Sequence, residues 1–338
     1  MRDRNEVIDG FRGIAILSVM AYHFLLRWKP VTGLEMAVPS WVSLGKFGVE
    51  VFFVISGLVI TMTVLRSANA LEFGVRRLAR LYPAFIVAST GIFVLIQIAG
   101  PIGPPISVAD YIINFSMMAR ELGFEYVDGV FWSLAVEVKF YAWVFLCFLL
   151  LGTRFWIGLL CLSIAAWLVS LVSFKIGTYV LIAPYLPLFL AGMAVWLGRF
   201  ENRVRDAWIV SAVAFVLYVL NAGFFETDHA SQTSVQMYII GVSAAMIALL
   251  IFAPRTRMGP LAWVGRISYS LYLIHQFLGI TIIRSLKVAG ANDVTALGIA
   301  VVVCIVLAAL SYRFIEGPGA KAIMSLYRMR FTPAVRTA

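Results

Sequence analysis

Residues 11–28 read FRGIAILSVMAYHFLLRW, an apolar run with only a few polar interruptions. A helix that crosses a bilayer needs about 20 mainly apolar residues. Nine further runs of similar character follow, near residues 47–66, 84–100, 131–151, 156–174, 179–198, 207–224, 235–253, 261–285 and 295–315. The pattern therefore predicts about ten transmembrane segments.

The composition of the whole chain agrees with this pattern. Of its 338 residues, 62% are hydrophobic and 13% are charged, and the mean hydropathy is +0.94. Soluble domains carry roughly 25% charged residues, so the composition excludes ordinary soluble enzymes, secreted disulfide scaffolds and disordered chains. The runs are too long and too continuously apolar for barrel strands. We expect an all-α polytopic membrane protein.

Basic residues indicate how the chain is oriented. Most Lys and Arg fall in segments that share a side with the N-terminus, which predicts that both termini are cytoplasmic. The net charge of +10 is then a topology signal, and no nucleic-acid partner is expected. Residues 100–130 are predicted to form an extracytoplasmic loop with a short helix near 111–118. We expect one integral-membrane domain over residues 1–320 and a short basic cytoplasmic tail over 321–338.

Two ionisable residues of the first span, Arg12 and His23, lie on one side of the predicted helix. They are 11 residues apart, so at about 100° per residue they point within roughly 20° of each other, about 16 Å apart along the axis. A charged group inside a span costs roughly 2.5–3.5 kcal/mol on insertion and usually marks a paired or functional position. The helix thus carries a cation near its cytoplasmic end and an imidazole past the membrane midplane.

Counting along the other spans places four more polar residues in the outer half of the membrane, near the level of His23. They are Glu50, Glu137, Lys139 and His275. A basic cluster collects at the cytoplasmic rim and consists of Arg76, Arg77 and Arg80. An anionic molecule from the cytoplasm can dock at such a rim and extend a reactive end towards His23, which accepts protons near neutral pH.

Structural explanations remain open for these residues. Lys139 or another span can neutralise Glu137, His275 can serve packing alone, and the basic cluster can be a topology signal. His229, in a predicted outer loop, has no expected role. A secondary transporter or exporter of a lipid-linked sugar would also place ionisable groups within its spans, although the sequence shows no repeated half. No metal-ligand spacing is present, so no metal is expected.

Six stretches of the chain match one family in order. They are IDGFRGIAILSVMAYH at 8–23, GVEVFFVISGLVIT at 48–61, RRLARLYP at 76–83, FWSLAVEVKFYAW at 131–143, VGRISYSLYLIH at 264–275 and SYRFIEGP at 311–318. The chain therefore resembles the acyltransferase 3 family of bacterial integral-membrane O-acyltransferases. Its first stretch carries the family signature of an Arg and a His separated by ten residues, here Arg12 and His23.

The resemblance implies a function and a set of site residues. Acetyl-CoA or another acyl-CoA would be supplied from the cytoplasm, and the acyl group would pass to a hydroxyl of a glycan or glycolipid in the bacterial cytoplasmic (inner) membrane. His23 would act as base or transient acyl carrier, with Glu137 as the acidic residue of the Trp-Ser-Leu motif. The coenzyme side would be formed by Arg12, Arg76, Arg77 and Arg80. Apart from the resemblance, we expect substrate contacts from the other polar residues of the spans, Glu50, Lys139 and His275.

The sequence also departs from the family pattern. A second Glu and a Gln usually follow the position of Glu137, whereas Val138 and Lys139 follow it here. Glu50 stands where Asp is common. Some relatives append a soluble hydrolase-like domain, which is not expected here, so the membrane unit would act alone or with a separate periplasmic partner.

Overall fold

A computed structural model describes residues 5–221, 232–253 and 255–331. Within these residues the chain is helical, and no strand is present. The α-helices are α1 Glu6–Tyr22, α2 Lys29–Thr32, α3 Gly48–Leu65, α4 Ala70–Ala99, α5 Val108–Asn114, α6 Trp132–Leu151, α7 Phe155–Val172, α8 Leu186–Arg199, α9 Val204–Leu220, α10 Gln232–Phe252, α11 Gly259–Val288, α12 Asp293–Ser311 and α13 Gly317–Phe331.

Each of the ten predicted spans coincides with one of the longer helices. Six continuous helical stretches of the described chain are long and apolar enough to cross a membrane. One of them, Gly129–Val172, contains both α6 and α7. A Cβ added to Gly158 would lie 2.9 Å from Sγ of Cys147, so this stretch folds back on itself. The all-helical, multi-pass class is confirmed, whereas ten crossings and cytoplasmic termini remain predictions.

The first helix packs most extensively on α11. The two run parallel, since Glu6 at the start of α1 meets Met258 beside α11 and Phe24 after α1 meets Gly279. Their backbones approach closely at Gly265, where a Cβ would lie only 1.7 Å from the backbone oxygen of Asp9. Small residues allow such close packing between membrane helices, where lipid gives little hydrophobic drive for association.

The long loop after α4 is an ordered structure. Its short helix, α5, begins three residues before the predicted segment because Ser107 and Asp110 form a reciprocal capping box. Hydrogen bonds from Ser107 lower the pKa of the Asp110 carboxyl, which also accepts from the backbone of Glu125 at 2.9 Å. Asn114 donates to the carbonyl of Glu125 at 2.8 Å. The loop is thus folded on itself.

The predicted cytoplasmic tail is largely helical where it is described, because α13 extends to Phe331. Residues 332–338 lie outside the described residues, as does His229. A turn with π-helical geometry, Tyr312–Glu316, joins α12 to α13. It carries Glu316 back towards α4, where the carboxylate pairs with Arg80.

Candidate active site

The structure brings two histidines together that are 252 positions apart in the sequence. Nδ1 of His23 lies 2.8 Å from Nε2 of His275, and the two rings are stacked with centroids 5.0 Å apart. His275 is fully buried. Its other ring nitrogen, Nδ1, lies 2.8 Å from the backbone oxygen of Tyr272. The pair is therefore held at one end by the backbone of α11.

These contacts determine where the hydrogens lie in the neutral pair. A carbonyl oxygen only accepts, so Nδ1 of His275 donates to Tyr272. Nε2 of His275 then accepts, and Nδ1 of His23 donates to it. Nε2 of His23 keeps its lone pair and is the nitrogen able to take a proton or an acyl group.

The local backbone places His23 at an irregular point of the helix. The α-helical part of the first span ends at Tyr22, and His23–Arg27 forms a π-helical turn. This turn is closed by the backbone amide of Trp28, which donates to the oxygen of His23 at 3.1 Å. Single π-helical turns are frequent at functional sites. Nothing in the sequence indicated this change of pitch.

A basic cavity of about 110 Å³ lies on the Arg12 side of the histidine pair. Its polar lining comes from α1, α3, α4, α6 and α11 and consists of Arg12, Ser56, Arg77, Arg80, Ser133, Glu137, Tyr141, Ser268, Tyr269 and Tyr272. Three arginines face a single carboxylate there, which suits an anionic ligand. Sites for drug-sized ligands usually measure about 300–1,000 Å³, so in this conformation the basic cavity holds only part of such a molecule.

Glu137 is held inside the basic cavity by two hydroxyl groups. Ser56 of α3 donates to its Oε1 at 3.0 Å, and Tyr141, one turn further along α6, donates to the same oxygen. Lys139 does not neutralise Glu137, because it pairs instead with Glu121 of the long loop between α4 and α6 (residues 100–131), which we call the outer loop. The sequence left open an ion pair between Lys139 and Glu137. In the structure Glu137 accepts from two hydroxyl groups instead.

The arginines of the basic cluster differ in their surroundings. Arg77 donates to Oγ1 of Thr63 at 3.0 Å, but its buried Nε has no hydrogen-bond partner within the described residues. Arg80 pairs with Glu316 and lies over the Tyr269 ring. Arg76 pairs with Glu72 at 2.5 Å and does not line the basic cavity. Only two members of the predicted cluster therefore face the cavity.

The basic cavity does not reach the histidine pair, since neither His23 nor His275 lines it. Tyr272 lines it, and the ring of Tyr272 lies 5.6 Å from that of His275. The Tyr272 hydroxyl donates to the oxygen of Val130 at 2.9 Å and contacts Oγ of Ser133 at 2.7 Å. His23 itself is not among the lining residues. The direct opening onto His23 that the sequence led us to expect is closed in this conformation.

Glu50 lies apart from the histidine pair. It is 4% exposed, and its Oε2 has no hydrogen-bond partner within the described part of the chain. It is absent from the lining of the basic cavity. The four polar residues placed near the level of His23 by helix counting thus face different directions, and His275 is the one that meets His23.

Sequence reasoning missed the contribution of Asp128. Its carboxylate is 2% exposed and accepts from Gln276 Nε2 at 2.6 Å and from the backbone amide of Phe277 at 3.1 Å. Burial raises the pKa of this carboxyl to about 6. Asp128 clamps the outer loop to α11 directly after His275. In the sequence it is one acid among several in a loop, and only contact with α11 distinguishes it.

The described residues contain no group of three or more His, Cys, Asp or Glu that could hold a metal ion. The site consists of the half-buried His23 and the buried His275 beside a cationic cavity, all within a bundle of apolar helices. Ionisable groups of this kind within apolar helices usually mark a functional site.

Comparison with known families identifies the class. The sequence profile described as an acyltransferase domain matches residues 5–313. The chain therefore belongs to the acyltransferase 3 family, as the resemblance predicted.

Curated relatives carry related names. A Staphylococcus aureus (strain COL) protein named "Putative O-acetyltransferase" is 29% identical over 357 residues, covering 92% of this chain and 56% of that protein. A Bacillus subtilis (strain 168) protein named "Putative peptidoglycan O-acetyltransferase" is 27% identical, covering 92% and 54%. A Komagataeibacter xylinus protein named "Putative membrane-bound transacylase" is 26% identical, covering 94% and 83%.

The chain spans about half the length of the first two of these relatives. No solved structure gives a significant match to it.

Proposed function

We propose that this protein is an O-acyltransferase of the bacterial cytoplasmic membrane, which moves an acyl group, most simply acetyl, from cytoplasmic acyl-CoA to a hydroxyl of a cell-envelope glycan. The observation that carries the proposal is the imidazole pair beside a cavity with three arginines. The names of the relatives, with O-acetyltransferase and peptidoglycan among their words, favour acetyl and a glycan acceptor.

The donor would enter through the basic cavity. Arg12, Arg77 and Arg80 supply positive charge for the diphosphate of coenzyme A, since guanidinium groups bind phosphate in a bidentate manner. Arg77 has a buried Nε without a partner in the described chain, which such an anion would satisfy. The acyl end reaches His23 only when Tyr272 turns aside, and that movement is part of the proposal.

His23 would perform the proton transfer. Nε2 of His23 removes the hydrogen from the acceptor hydroxyl while the hydroxyl oxygen attacks the thioester carbonyl. The ester C–O bond forms, the C–S bond breaks, and the sulfur leaves with the proton returned from His23. In a second order of events, Nε2 attacks the thioester carbon, the C–S bond breaks and CoA leaves as the thiolate. The acceptor hydroxyl then attacks the acyl carbon, the C–N bond to His23 breaks, and the hydroxyl proton passes to the thiolate to give free CoA. His275 holds the His23 ring in the required tautomer in both cases.

The experiment uses the full-length protein in lipid nanodiscs with radiolabelled acetyl-CoA and a peptidoglycan digest. We expect free CoA to be released and label to enter the glycan, and both to be lost in His23→Ala. Circular dichroism and thermal unfolding of the variant check that it folds. Exchange of labelled CoA into acetyl-CoA without acceptor would identify the acyl-histidine route.

Two results would contradict the proposal. Full turnover in a folded His23→Ala variant would remove His23 from the chemistry. A transport assay uses the same protein in proteoliposomes. If the protein releases no CoA but moves a lipid-linked sugar across the proteoliposome membrane, it is a transporter.

A further inference from the structure

A second cavity of about 240 Å³ lies beyond the histidine pair. We call it the outer cavity. It is enclosed by the end of the first span, the outer loop and the second half of α11. Its charged and aromatic lining includes Arg27, Trp28, Arg120, Glu125, Tyr126 and Asp128. The reaction proposed above uses His23 and the basic cavity and does not involve the outer cavity.

The outer cavity and the basic cavity lie on opposite sides of the histidines. Along α11, Tyr272 lines the basic cavity and Gln276 lines the outer cavity, with His275 between them. Along the first span, Arg12 lines the basic cavity and Arg27 the outer cavity, with His23 between them. Arg27 ends the π-helical turn that begins at His23, so it lies one turn beyond His23 along the helix axis.

The aromatic lining of the outer cavity suits a sugar ring. Trp28 and Tyr126 present apolar rings with polar tips, a combination that packs against C–H groups while hydrogen-bonding to hydroxyls. The indole Nε1 of Trp28 is buried and has no hydrogen-bond acceptor within the described residues. Buried polar groups are normally satisfied, so this donor indicates a ligand that supplies an oxygen.

Arg27 gives the outer cavity a charge preference. The structure shows no carboxylate of the described residues within 4 Å of its guanidinium group, which lies 5.1 Å from the centre of the Trp28 ring. The other arginine of the lining, Arg120, is already paired with Glu125 at 3.3 Å. The Asp128 carboxylate is occupied by donors from α11. Arg27 is therefore placed to bind an anionic group on a ligand.

We propose that the outer cavity is the acceptor subsite and that it takes a sugar carrying a carboxylate or phosphate, with Arg27 binding the anion and Trp28 the sugar ring. This inference rests on the proposed function, because the outer cavity is taken as the acceptor side on account of its place across the histidine pair from the basic cavity. The donor and the acceptor then approach the histidine pair from opposite cavities, and the pair lies at their meeting point.

The test measures sugar binding to the purified full-length protein in nanodiscs, without any acyl donor, by microscale thermophoresis. Three probes are used: the disaccharide GlcNAc–MurNAc, which carries a carboxylate, the neutral disaccharide chitobiose, and N-acetylglucosamine 1-phosphate. We expect at least one anionic probe to bind about tenfold or more tightly than chitobiose, a ratio typical of one charge-assisted hydrogen bond. The probe that shows the preference identifies the anion.

Variants locate the preference in the outer cavity. Arg27→Gln should abolish the preference for the anionic probe while leaving chitobiose binding unchanged. Trp28→Leu should weaken binding of every probe about tenfold. Arg284→Gln is the matched control. Arg284 lies near the C-terminal end of α11 and does not line the outer cavity, so this variant should bind the probes like wild type. Equal affinity of wild type for all probes, or an unchanged preference in Arg27→Gln, would overturn the inference.

The two proposals fail in different ways. If wild type binds an anionic sugar through Arg27 but releases no CoA from acetyl-CoA, the proposed function is wrong and the outer cavity is still a sugar site. If wild type transfers acetyl groups and Arg27→Gln keeps kcat/KM for the anionic acceptor, the proposed function holds and the outer cavity is not the acceptor subsite.

Discussion

His275 determines which nitrogen of His23 is available for chemistry. Because its Nδ1 donates to the Tyr272 carbonyl, its Nε2 accepts from His23 and leaves Nε2 of His23 with a lone pair. A residue that fixes the tautomer of a catalytic imidazole contributes to the rate without touching the substrate. His275 is thus a positioning residue in the proposed mechanism.

Replacing His275 tests this role. We expect His275→Ala to lower kcat by about 10²- to 10³-fold, within the range that general base catalysis contributes, with the KM for acetyl-CoA unchanged. His275→Gln should recover part of kcat, because an amide oxygen can accept from Nδ1 of His23. Steady-state kinetics of folded variants checks this, and a Gln variant no better than Ala would argue for packing alone.

The arginines of α4 provide a matched pair for testing the donor site. Arg77 lines the basic cavity and Arg76 does not. A hydrogen bond to a charged group contributes about 1.5–3 kcal/mol, so Arg77→Gln should raise the KM for acetyl-CoA roughly tenfold or more. Arg76→Gln removes the same charge one residue away and should change KM less than twofold. Similar KM values for the two variants would show that only net charge at the rim matters.

At the scale of elements, the close approach of α1 and α11 holds the two histidines in contact. The absence of a side chain at Gly265 allows the backbone of α1 to reach α11 at Asp9. Both helices pack with little space to relax, so an added atom at this point must separate them. The contact between His23 and His275 therefore depends on how closely α1 packs against α11.

Gly265→Ala tests this coupling. Its Cβ would clash with a backbone oxygen, so we expect a lower unfolding temperature and loss of most activity as His23 and His275 separate. Gly298→Ala in α12 is the control, because a Cβ there meets no atom within 4 Å and alanine favours a helix over glycine by about 1 kcal/mol. Thermal unfolding in detergent and turnover are measured for both. Wild-type stability and activity in Gly265→Ala would show that the helices tolerate separation.

At the scale of the whole molecule, the proposed reaction has a direction. The basic cavity would face the cytoplasm and the outer cavity the opposite side, provided that both termini are cytoplasmic. Because α1 and α11 run parallel, their N-terminal ends lie at the same end of the bundle. This agrees with an even number of membrane crossings between the start of α1 and the start of α11. The cell interior would then supply the acyl group, and the envelope would receive it.

Cysteine labelling checks this orientation. The native cysteines lie in α6, α7 and α12, and they are first replaced by alanine. Leu122→Cys in the outer loop and Met329→Cys in α13 are exposed positions. We expect a membrane-impermeant maleimide to label Leu122→Cys in intact spheroplasts, and to label Met329→Cys only after lysis. The reverse pattern would invert the topology and with it the sides of the two cavities.

Much of the fold could be predicted from the sequence, because in lipid every backbone polar group must be satisfied within the segment. Apolar runs of spanning length therefore indicate helices, and the predicted spans coincide with them. The irregular places were not predictable. The π-helical turn at His23 and the capping of α5 three residues early depend on local hydrogen bonds that hydropathy does not register.

The depth of a residue in the membrane can be counted along its own helix without knowledge of the neighbouring helices, since each residue rises about 1.5 Å. The sequence by itself therefore predicted a common level for His23 and His275, which are in contact, and a position at the cytoplasmic rim for Arg12 and the arginines of α4, which stays a prediction. Glu50 and Glu137 were assigned to the same level by the same count.

Which neighbouring helix each polar side chain faces was decided only by the tertiary structure. Lipid tails are as apolar as leucine, so a nearly uniform apolar helix does not show which face meets another helix. Packing at Gly265 turned His23 towards His275, whereas Glu137 faced Ser56 and Lys139 turned to Glu121. The residues of the site were thus present in the sequence, but their partners arise from helix contacts between distant parts of the chain.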